Sequence, residues 1–415
     1  MMRSRYTGCF ESVRGIAAAL LLWLTAFATL ADGPSPERGE YLARAGNCGS
    51  CHTAPGGAAM AGGVAFETPF GKIYSTNITP DPQFGIGNWS EAQFAQALRK
   101  GVRPDGTHLY PVFPYTAYTK VTDEDASALF AYLKSVPASS EATPKNEMSF
   151  PFNQRWLMGL WKALFFEEGP YQPVAAQSKE WNRGAYLVEG LGHCSACHSP
   201  RNFLGAERSS AAMTGGTYLD RVPSGAIRPW SAPNLTSAAS GLGEWSVEDI
   251  AAYLKQGRNA HVSVSGPMNE VILNSTQHLS DEDVRAMSVY LKSLPAHEGQ
   301  NSSPASDEVM AEGSLVYDVH CGTCHLPTGA GSEDTGTALA RFSPIVQAND
   351  PASLINIILY GPPLPEPNLP AKWQKMEPFA EKLTDEEVAQ LASFVRGSWG
   401  NKAGAVTAEQ VAKQR

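Results

Sequence analysis

Six of the seven cysteines in this 415-residue chain lie in three pentapeptides of the form Cys-x-x-Cys-His. The paired thiols are Cys48 and Cys51, Cys194 and Cys197, and Cys321 and Cys324, and the histidines are His52, His198 and His325. Two thiols at this spacing can bond to the two vinyl groups of one porphyrin, and the adjacent imidazole can then bind the iron. Similar cysteine pairs form redox dithiols or half of a zinc site, but the histidine after each pair favours haem. The sequence therefore predicts three covalently bound haem c groups.

Two methionines are predicted to bind the second and third haem irons from the distal side, opposite the motif histidines. Met268 follows His198 by 70 residues, and Met376 follows His325 by 51 residues. Each lies beside Gly or Pro in a loop that precedes a predicted helix. Although methionine more often fills a core, a thioether ligand raises the potential of a haem relative to a second imidazole, as suits an electron carrier.

The first motif lacks a methionine in the corresponding loop. Residues 106–115 include His108 and Phe113, and a phenyl ring cannot bind iron. We favour His108 as the distal ligand over Met60, which lies only eight residues after His52. A five-coordinate first haem is the third alternative, because loop histidines usually only form hydrogen bonds.

The chain around the motifs repeats three times, with first cysteines 146 and 127 residues apart. Each repeat closes with a predicted helix that starts with a capping hydroxyl and an acidic residue three positions later, at Thr122, Ser280 and Thr384. Strand signals are scarce, and long Gly- and Pro-rich connections leave little core unless a macrocycle fills each centre. The predicted fold class is all-α, with three tandem class I-like cytochrome c domains.

The repeats and the polar stretches between them predict how the chain is divided. The predicted segments are a signal peptide at 1–31, a first cytochrome c domain at 32–140, a linker at 141–180, a second domain at 181–297, a linker at 298–310, a third domain at 311–400 and a polar tail at 401–415. The signal peptide is inferred from basic residues before an apolar run that is short for a membrane span. It predicts export and removes Cys9, which leaves no thiol outside the haem motifs.

The first linker contains an amphipathic aromatic segment at Arg155–Phe166. Trp156, Leu160 and Leu164 share one helical face. Twelve residues cannot span a bilayer, but they could lie at a membrane interface, dock on a partner or pack between domains. The net charge of −9 makes nucleic acid and anionic lipid poor partners.

Longer motifs carry a family resemblance. Gly39-Glu-Tyr-Leu-Ala-Arg-Ala-Gly-Asn-Cys48, Tyr74-Ser-Thr-Asn-Ile-Thr79 and Ser398-Trp-Gly-Asn401 resemble the triheme cytochrome c subunit of membrane-bound bacterial dehydrogenases, as found in acetic acid bacteria. The resemblance implies that the subunit belongs to a complex that oxidises alcohols, aldehydes or gluconate on the periplasmic side of the inner membrane. The resemblance implies that electrons pass from a separate catalytic subunit through the haems to ubiquinone.

The resemblance also bears on individual residues. It places the proximal ligands at His52, His198 and His325 and two distal ligands at Met268 and Met376. In the alcohol and gluconate types of this family, methionine usually occupies the position of Phe113. Phenylalanine at this position resembles the cytochrome subunits that are partners of molybdopterin enzymes. This favours an aldehyde dehydrogenase with a molybdopterin and iron–sulfur subunit over a quinoprotein or flavoprotein partner.

No catalytic carboxylate pair, flavin fingerprint or molybdenum motif is present in the sequence, so the chain is predicted not to be an enzyme on its own. One alternative is a haem enzyme of the peroxidase or reductase type that uses an open first haem. Another is a free-standing carrier to a terminal oxidase.

Overall fold

The structure, a computed structural model, describes residues 35–222, 225–298, 303–332, 334–362 and 375–415. The predicted signal peptide at 1–31 lies outside the described residues, as do parts of the predicted linker at 298–310. All six motif cysteines, the three motif histidines and both predicted distal methionines lie within them.

The first repeat places its motif between two longer helices that pack against each other. Its elements are α1 (Pro36–Ala45), α2 (Cys48–His52), β1 (Ala65–Thr68), β2 (Gly71–Tyr74), α3 (Glu91–Lys100), α4 (Tyr115–Tyr118) and α5 (Asp123–Ser135). The last helix begins at the capping hydroxyl that the sequence predicts, and the first helix begins with a similar cap. Ser35 accepts a hydrogen bond from the Arg38 amide, and Thr122 accepts one from the Asp125 amide.

The segment after α5 leads to the second repeat. It contains β3 (Glu147–Met148), which pairs with β2, and α6 (Leu157–Phe165). The second repeat then contains α7 (Lys179–Tyr186), a π-helical turn (Leu187–Leu191), α8 (Ser195–His198), β4 (Gly216–Arg221), β5 (Ile227–Ala232), α9 (Val247–Gln256), α10 (Met268–Asn274) and α11 (Asp281–Ser293). Ser280 caps the last of these helices by accepting a hydrogen bond from the Asp283 amide, as predicted.

The third repeat contains α12 (Asp307–His320), α13 (Gly322–His325), α14 (Pro344–Gln347), α15 (Ala352–Tyr360), α16 (Asp385–Gly397) and α17 (Ala408–Ala412). Thr384 and Glu387 form the complete capping box predicted at the start of α16. The residues predicted as a polar tail include α17, whose Val411 is fully buried. Val406 is also buried, and Arg415 donates a hydrogen bond to Asp385, so both apolar and polar contacts dock this segment.

The first and last helices of each repeat cross so closely that only glycine fits at the contact. A Cβ at Gly39 would lie 2.0 Å from the Ala128 oxygen, and one at Gly184 would lie 2.0 Å from the Ala286 oxygen. The same contact recurs in the third repeat, where a Cβ at Gly313 would lie 2.2 Å from a backbone oxygen. Close backbone approach therefore fixes the same helix pair around each motif.

The structure adds two small sheets that the scarce strand signals did not indicate. β1 and β2 form an antiparallel hairpin extended by β3, and β4 pairs antiparallel with β5. These strands are two to six residues long and only partly buried, so they lack the extended apolar alternation that identifies a strand in sequence.

A reciprocal pair of tyrosine contacts joins the first repeat to the second. Tyr186 donates a 2.6 Å hydrogen bond to Asp125, and Tyr41 donates a 2.6 Å hydrogen bond to Asp283. Each tyrosine belongs to one repeat and its acceptor to the other, so the contact has pseudo-twofold symmetry. One hydrophobic core runs through both repeats.

The third repeat contacts the second through hydrogen bonds near its motif. The Trp245 indole donates to the Phe342 oxygen at 2.8 Å, and the Ala338 amide donates to the His261 oxygen at 2.7 Å. Across the described ranges, no helix combines the length and apolar character needed to cross a lipid bilayer.

Candidate functional site: three Cys-x-x-Cys-His motifs on one cavity

All three motifs line one continuous cavity with a volume of about 1860 Å³. This exceeds the 300–1,000 Å³ of a typical single-ligand pocket. Its lining is mostly apolar and includes all six motif cysteines and all three motif histidines. The sequence predicted a macrocycle at the centre of each repeat, and this apolar space lies beside the motif of every repeat.

The motif thiols are not paired with one another in disulfides. Burial raises the pKa of Cys48 and Cys194 to about 12, and burial with the nearby Cys197 and Glu270 raises the pKa of Cys51 to about 11. A redox dithiol needs an accessible thiol of low pKa, so these surroundings do not suit that chemistry. The influence of Cys197 on Cys51 also shows that the first two motifs are neighbours.

Each motif imidazole is oriented by a backbone carbonyl. Nδ1 of His52 lies 2.6 Å from the Thr76 oxygen, Nδ1 of His198 lies 2.8 Å from the Pro233 oxygen, and Nδ1 of His325 lies 2.8 Å from the Thr337 oxygen. A hydrogen bond from Nδ1 fixes the tautomer and leaves Nε2 as the nitrogen with a lone pair for a metal. All three repeats therefore present an imidazole in the same chemical state.

Buried asparagines hold the first two of these carbonyls in place. Asn77 follows Thr76 and accepts hydrogen bonds from the amide and hydroxyl of Thr79, and its own amide donates to the Ser139 and Glu141 oxygens. Asn234, which follows Pro233, binds Thr236 in the same way. Both asparagines are buried. These sequences match glycosylation acceptors, but their role is to order the loop beside the imidazole.

Both predicted distal methionines line the cavity. Met268 is the first residue of α10, and Met376 lies beside Gly361, where an added Cβ would be 2.7 Å from the Met376 oxygen. Each methionine precedes the closing helix of its repeat, as the sequence predicted, but Met268 begins α10 instead of lying in the predicted loop.

The structure does not support His108 as the first distal ligand. His108 is not among the described residues that line the cavity. Lys162 donates to its Nδ1 at 3.1 Å and to the Lys100 and Gly101 oxygens, although burial lowers the pKa of this lysine to about 8. The proton of the neutral imidazole is thus assigned to Nε2, which faces Gly159 of α6. Sequence spacing could not reveal this, because the lysine is 54 positions away.

His193 has a role that sequence reasoning missed. It directly precedes Cys194 in the chain, and its side chain lines the cavity. The imidazole packs edge-on against Tyr118 of the first repeat, with ring centroids 5.5 Å apart. His193 is therefore positioned between the first two motifs.

Two buried hydrogen-bond donors without partners bear on whether the cavity suits a haem. The Trp230 indole nitrogen and the Ser265 hydroxyl are buried without a hydrogen-bond partner, and both residues line the cavity. Buried donors are rarely left unpaired, so both are suited to an acceptor inside the cavity. The propionate carboxylates of a haem supply such acceptors. The thiols, imidazoles, apolar lining and donors all fit this group.

Two family models match parts of the chain. A cytochrome c model matches residues 36–137, and a model described as cytochrome c oxidase, cbb3-type, subunit III matches residues 308–395. The first match covers the first motif, and the second covers the third motif.

Several characterised proteins are similar over nearly the whole chain. The gluconate 2-dehydrogenase cytochrome c subunit of Pantoea cypripedii is 40% identical over 96% of this chain and 94% of its own length. The cytochrome c subunit of alcohol dehydrogenase (quinone) from Gluconobacter oxydans is 39% identical over 96% of this chain and 87% of its own length. A nicotinate dehydrogenase subunit from Pseudomonas putida is 40% identical over 94% of this chain, but this chain spans only 33% of that longer protein.

Proposed function

Because this chain belongs to the family of cytochrome c subunits of dehydrogenases, we propose that it holds three haem c groups and relays electrons through them. The electrons come from a separate catalytic subunit. The observation that carries this proposal is the single cavity lined by all three motifs. Haems that share one cavity would lie close to one another, which favours electron transfer between them.

The roles of the protein residues follow from the geometry. Haem supplies one-electron chemistry when bound. The six motif thiols tether the rings, and His52, His198 and His325 serve as proximal iron ligands oriented by backbone carbonyls. Met268 and Met376, which line the same cavity, would provide thioether ligands to the second and third haem irons. At the second and third haems, irons saturated in this way would exchange electrons without binding substrate, and catalysis is assigned to the partner.

We favour an aldehyde dehydrogenase with a molybdopterin and iron–sulfur subunit as that partner. Support comes from Phe113, which lines the cavity where the alcohol- and gluconate-type sequences usually have methionine. Quinoprotein and flavoprotein subunits are the competing partners, since the relatives include alcohol and gluconate dehydrogenase subunits.

The electron acceptor in this proposal is ubiquinone, and the location is the periplasmic side of the bacterial inner membrane after export. The relative from Gluconobacter oxydans is a subunit of alcohol dehydrogenase (quinone), and this name supports ubiquinone as the acceptor. The outer face of α6 and the residue before it would make the peripheral membrane contact, because Trp156, Leu160 and Leu164 are 65%, 59% and 71% exposed. The opposite face of this helix packs inward through Met158 and Trp161.

The decisive experiment is a detergent pull-down of the tagged chain from native membranes. Co-purified subunits and cofactors are identified, and quinone reduction is measured with acetaldehyde, ethanol and gluconate. A molybdopterin and iron–sulfur partner with aldehyde activity is expected. A quinoprotein with alcohol activity would replace the favoured partner, and the absence of any dehydrogenase subunit would contradict the proposed function.

A further inference from the structure

The first and second repeats place Phe113 and Met268 at equivalent positions. α3 ends at Gly101, and the Leu109 amide returns to donate to the Gly101 oxygen at 2.8 Å. α9 ends at Gly257, and the Val264 amide donates to the Gly257 oxygen at 2.7 Å. Phe113 lies four residues after Leu109, and Met268 lies four residues after Val264. Both side chains line the cavity.

Met60 does not replace the missing thioether. It has a counterpart in the second repeat, Met213, with the same positive φ of 62°. The Ile78 amide donates to the Met60 oxygen at 2.9 Å, and the Leu235 amide donates to the Met213 oxygen at 2.8 Å. Both methionines are buried in the hydrophobic core. Because the second repeat has this core methionine in addition to Met268, the position is structural rather than distal.

His108 is excluded as a ligand because it is not among the described residues that line the cavity and it accepts a hydrogen bond from Lys162 of α6. The imidazole of His193 packs edge-on against Tyr118 of the first repeat, with ring centroids 5.5 Å apart. Neither histidine occupies the position equivalent to that of Met268, which in the first repeat is occupied by Phe113.

We propose that the haem attached at Cys48 and Cys51 has no sixth ligand from this chain and is capped by Phe113. This inference rests on the proposed haem loading of the first repeat. The first haem then accepts a small neutral ligand such as carbon monoxide, whereas Met268 and Met376 close the other two. The lack of a thioether also lowers its reduction potential relative to the second haem.

The test uses the full-length protein with its haems attached. Intact mass first gives the number of haems, so an empty first motif, which contradicts the proposed function, is recognised separately. Carbon monoxide is then titrated into the reduced protein, and the spin state of the oxidised protein is measured by electron paramagnetic resonance. One carbon monoxide bound per three haems and one high-spin iron are expected.

Two reciprocal variants provide the matched control. Phe113→Met supplies the missing thioether and is expected to abolish carbon monoxide binding. Met268→Phe is expected to raise binding to two per chain. If Met268→Phe does not attach its second haem, carbon monoxide binding by Phe113→Met alone still tests the proposal.

Three loaded haems that are all low-spin and bind no carbon monoxide overturn the proposal. Binding at one haem that persists unchanged in Phe113→Met also overturns it. Met158 is the buried methionine of α6 that lines the same cavity. A low-spin first haem that becomes able to bind carbon monoxide only in Met158→Leu would overturn the proposal by identifying this thioether as the ligand.

Discussion

The residues that orient the three imidazoles are backbone carbonyls, supplied by Thr76, Pro233 and Thr337. Because a carbonyl is common to every residue type, the same hydrogen bond can be formed by different side chains in the three repeats. Substitution of Thr76 or Thr337 can therefore leave this hydrogen bond intact, provided that the loop keeps its course. The loop depends instead on buried side chains such as Asn77 and Asn234.

His108 is predicted not to bind the iron of the first haem. His108→Ala is expected to leave the absorption spectrum and spin state of the first haem unchanged, since Lys162 and α6 hold the imidazole outside the cavity. Spectra of the oxidised and reduced holoprotein measure this, with His52→Ala as the control that removes the proposed proximal ligand. Loss of a low-spin signal in His108→Ala would instead identify the imidazole as a ligand.

The helix pairs are predicted to be sensitive to any side chain at their crossing points. Gly184→Ala places a methyl group 2.0 Å from the Ala286 oxygen, so α7 and α11 must move apart. We expect a loss of about 1–3 kcal/mol in unfolding free energy, as is typical of overpacking. The urea midpoint of the holoprotein measures it. Gly169→Ala is the control because its Cβ meets no atom within 4 Å, and equal effects of the two variants would contradict the packing argument.

The exposed row along α6 is predicted to bind the membrane interface. Replacing Trp156, Leu160 and Leu164 with serine removes the apolar anchors and should lower binding to phosphatidylcholine vesicles by at least tenfold in co-sedimentation. Leu315→Ser combined with Val319→Ser is the control, because both residues are exposed on α12. Unchanged vesicle binding together with loss of the dehydrogenase subunit would show that the row contacts that subunit.

The reciprocal tyrosine–aspartate contacts between the first two repeats should make the free energy of unfolding of the whole molecule decrease in acid. Burial alone would raise the pKa of Asp283, but hydrogen bonds from Arg183 and Tyr41 hold it below its usual value. A depressed pKa means that the stabilisation is complete above the unfolded pKa of about 3.9 and is lost as pH falls below it.

Asp283→Asn is therefore expected to lower the unfolding midpoint at pH 7 and to weaken the decline below about pH 4. Thermal unfolding of the holoprotein between pH 3 and 7 measures both effects. Asp281→Asn is the control, because the side chain of Asp281 is 92% exposed. An acid decline of the same size in both variants would show that Asp283 does not contribute to it.

How much the sequence could reveal depends on how local each signal is. The motifs and the capping residues Thr122, Ser280 and Thr384 are local patterns, and the predicted helix starts are confirmed. The place of His108 depends on Lys162, and the bond between Tyr41 and Asp283 spans 242 positions, so neither follows from one stretch of sequence. The hairpins were missed because their strands are short and partly buried.

The most direct test of the central claim is the number of haems attached to one exported chain. Intact mass spectrometry of the holoprotein, combined with quantification of its haem iron, gives this number. We predict three, falling to two when Cys48 and Cys51 are both replaced by alanine. Two or fewer haems in the unaltered protein would contradict a three-haem electron path.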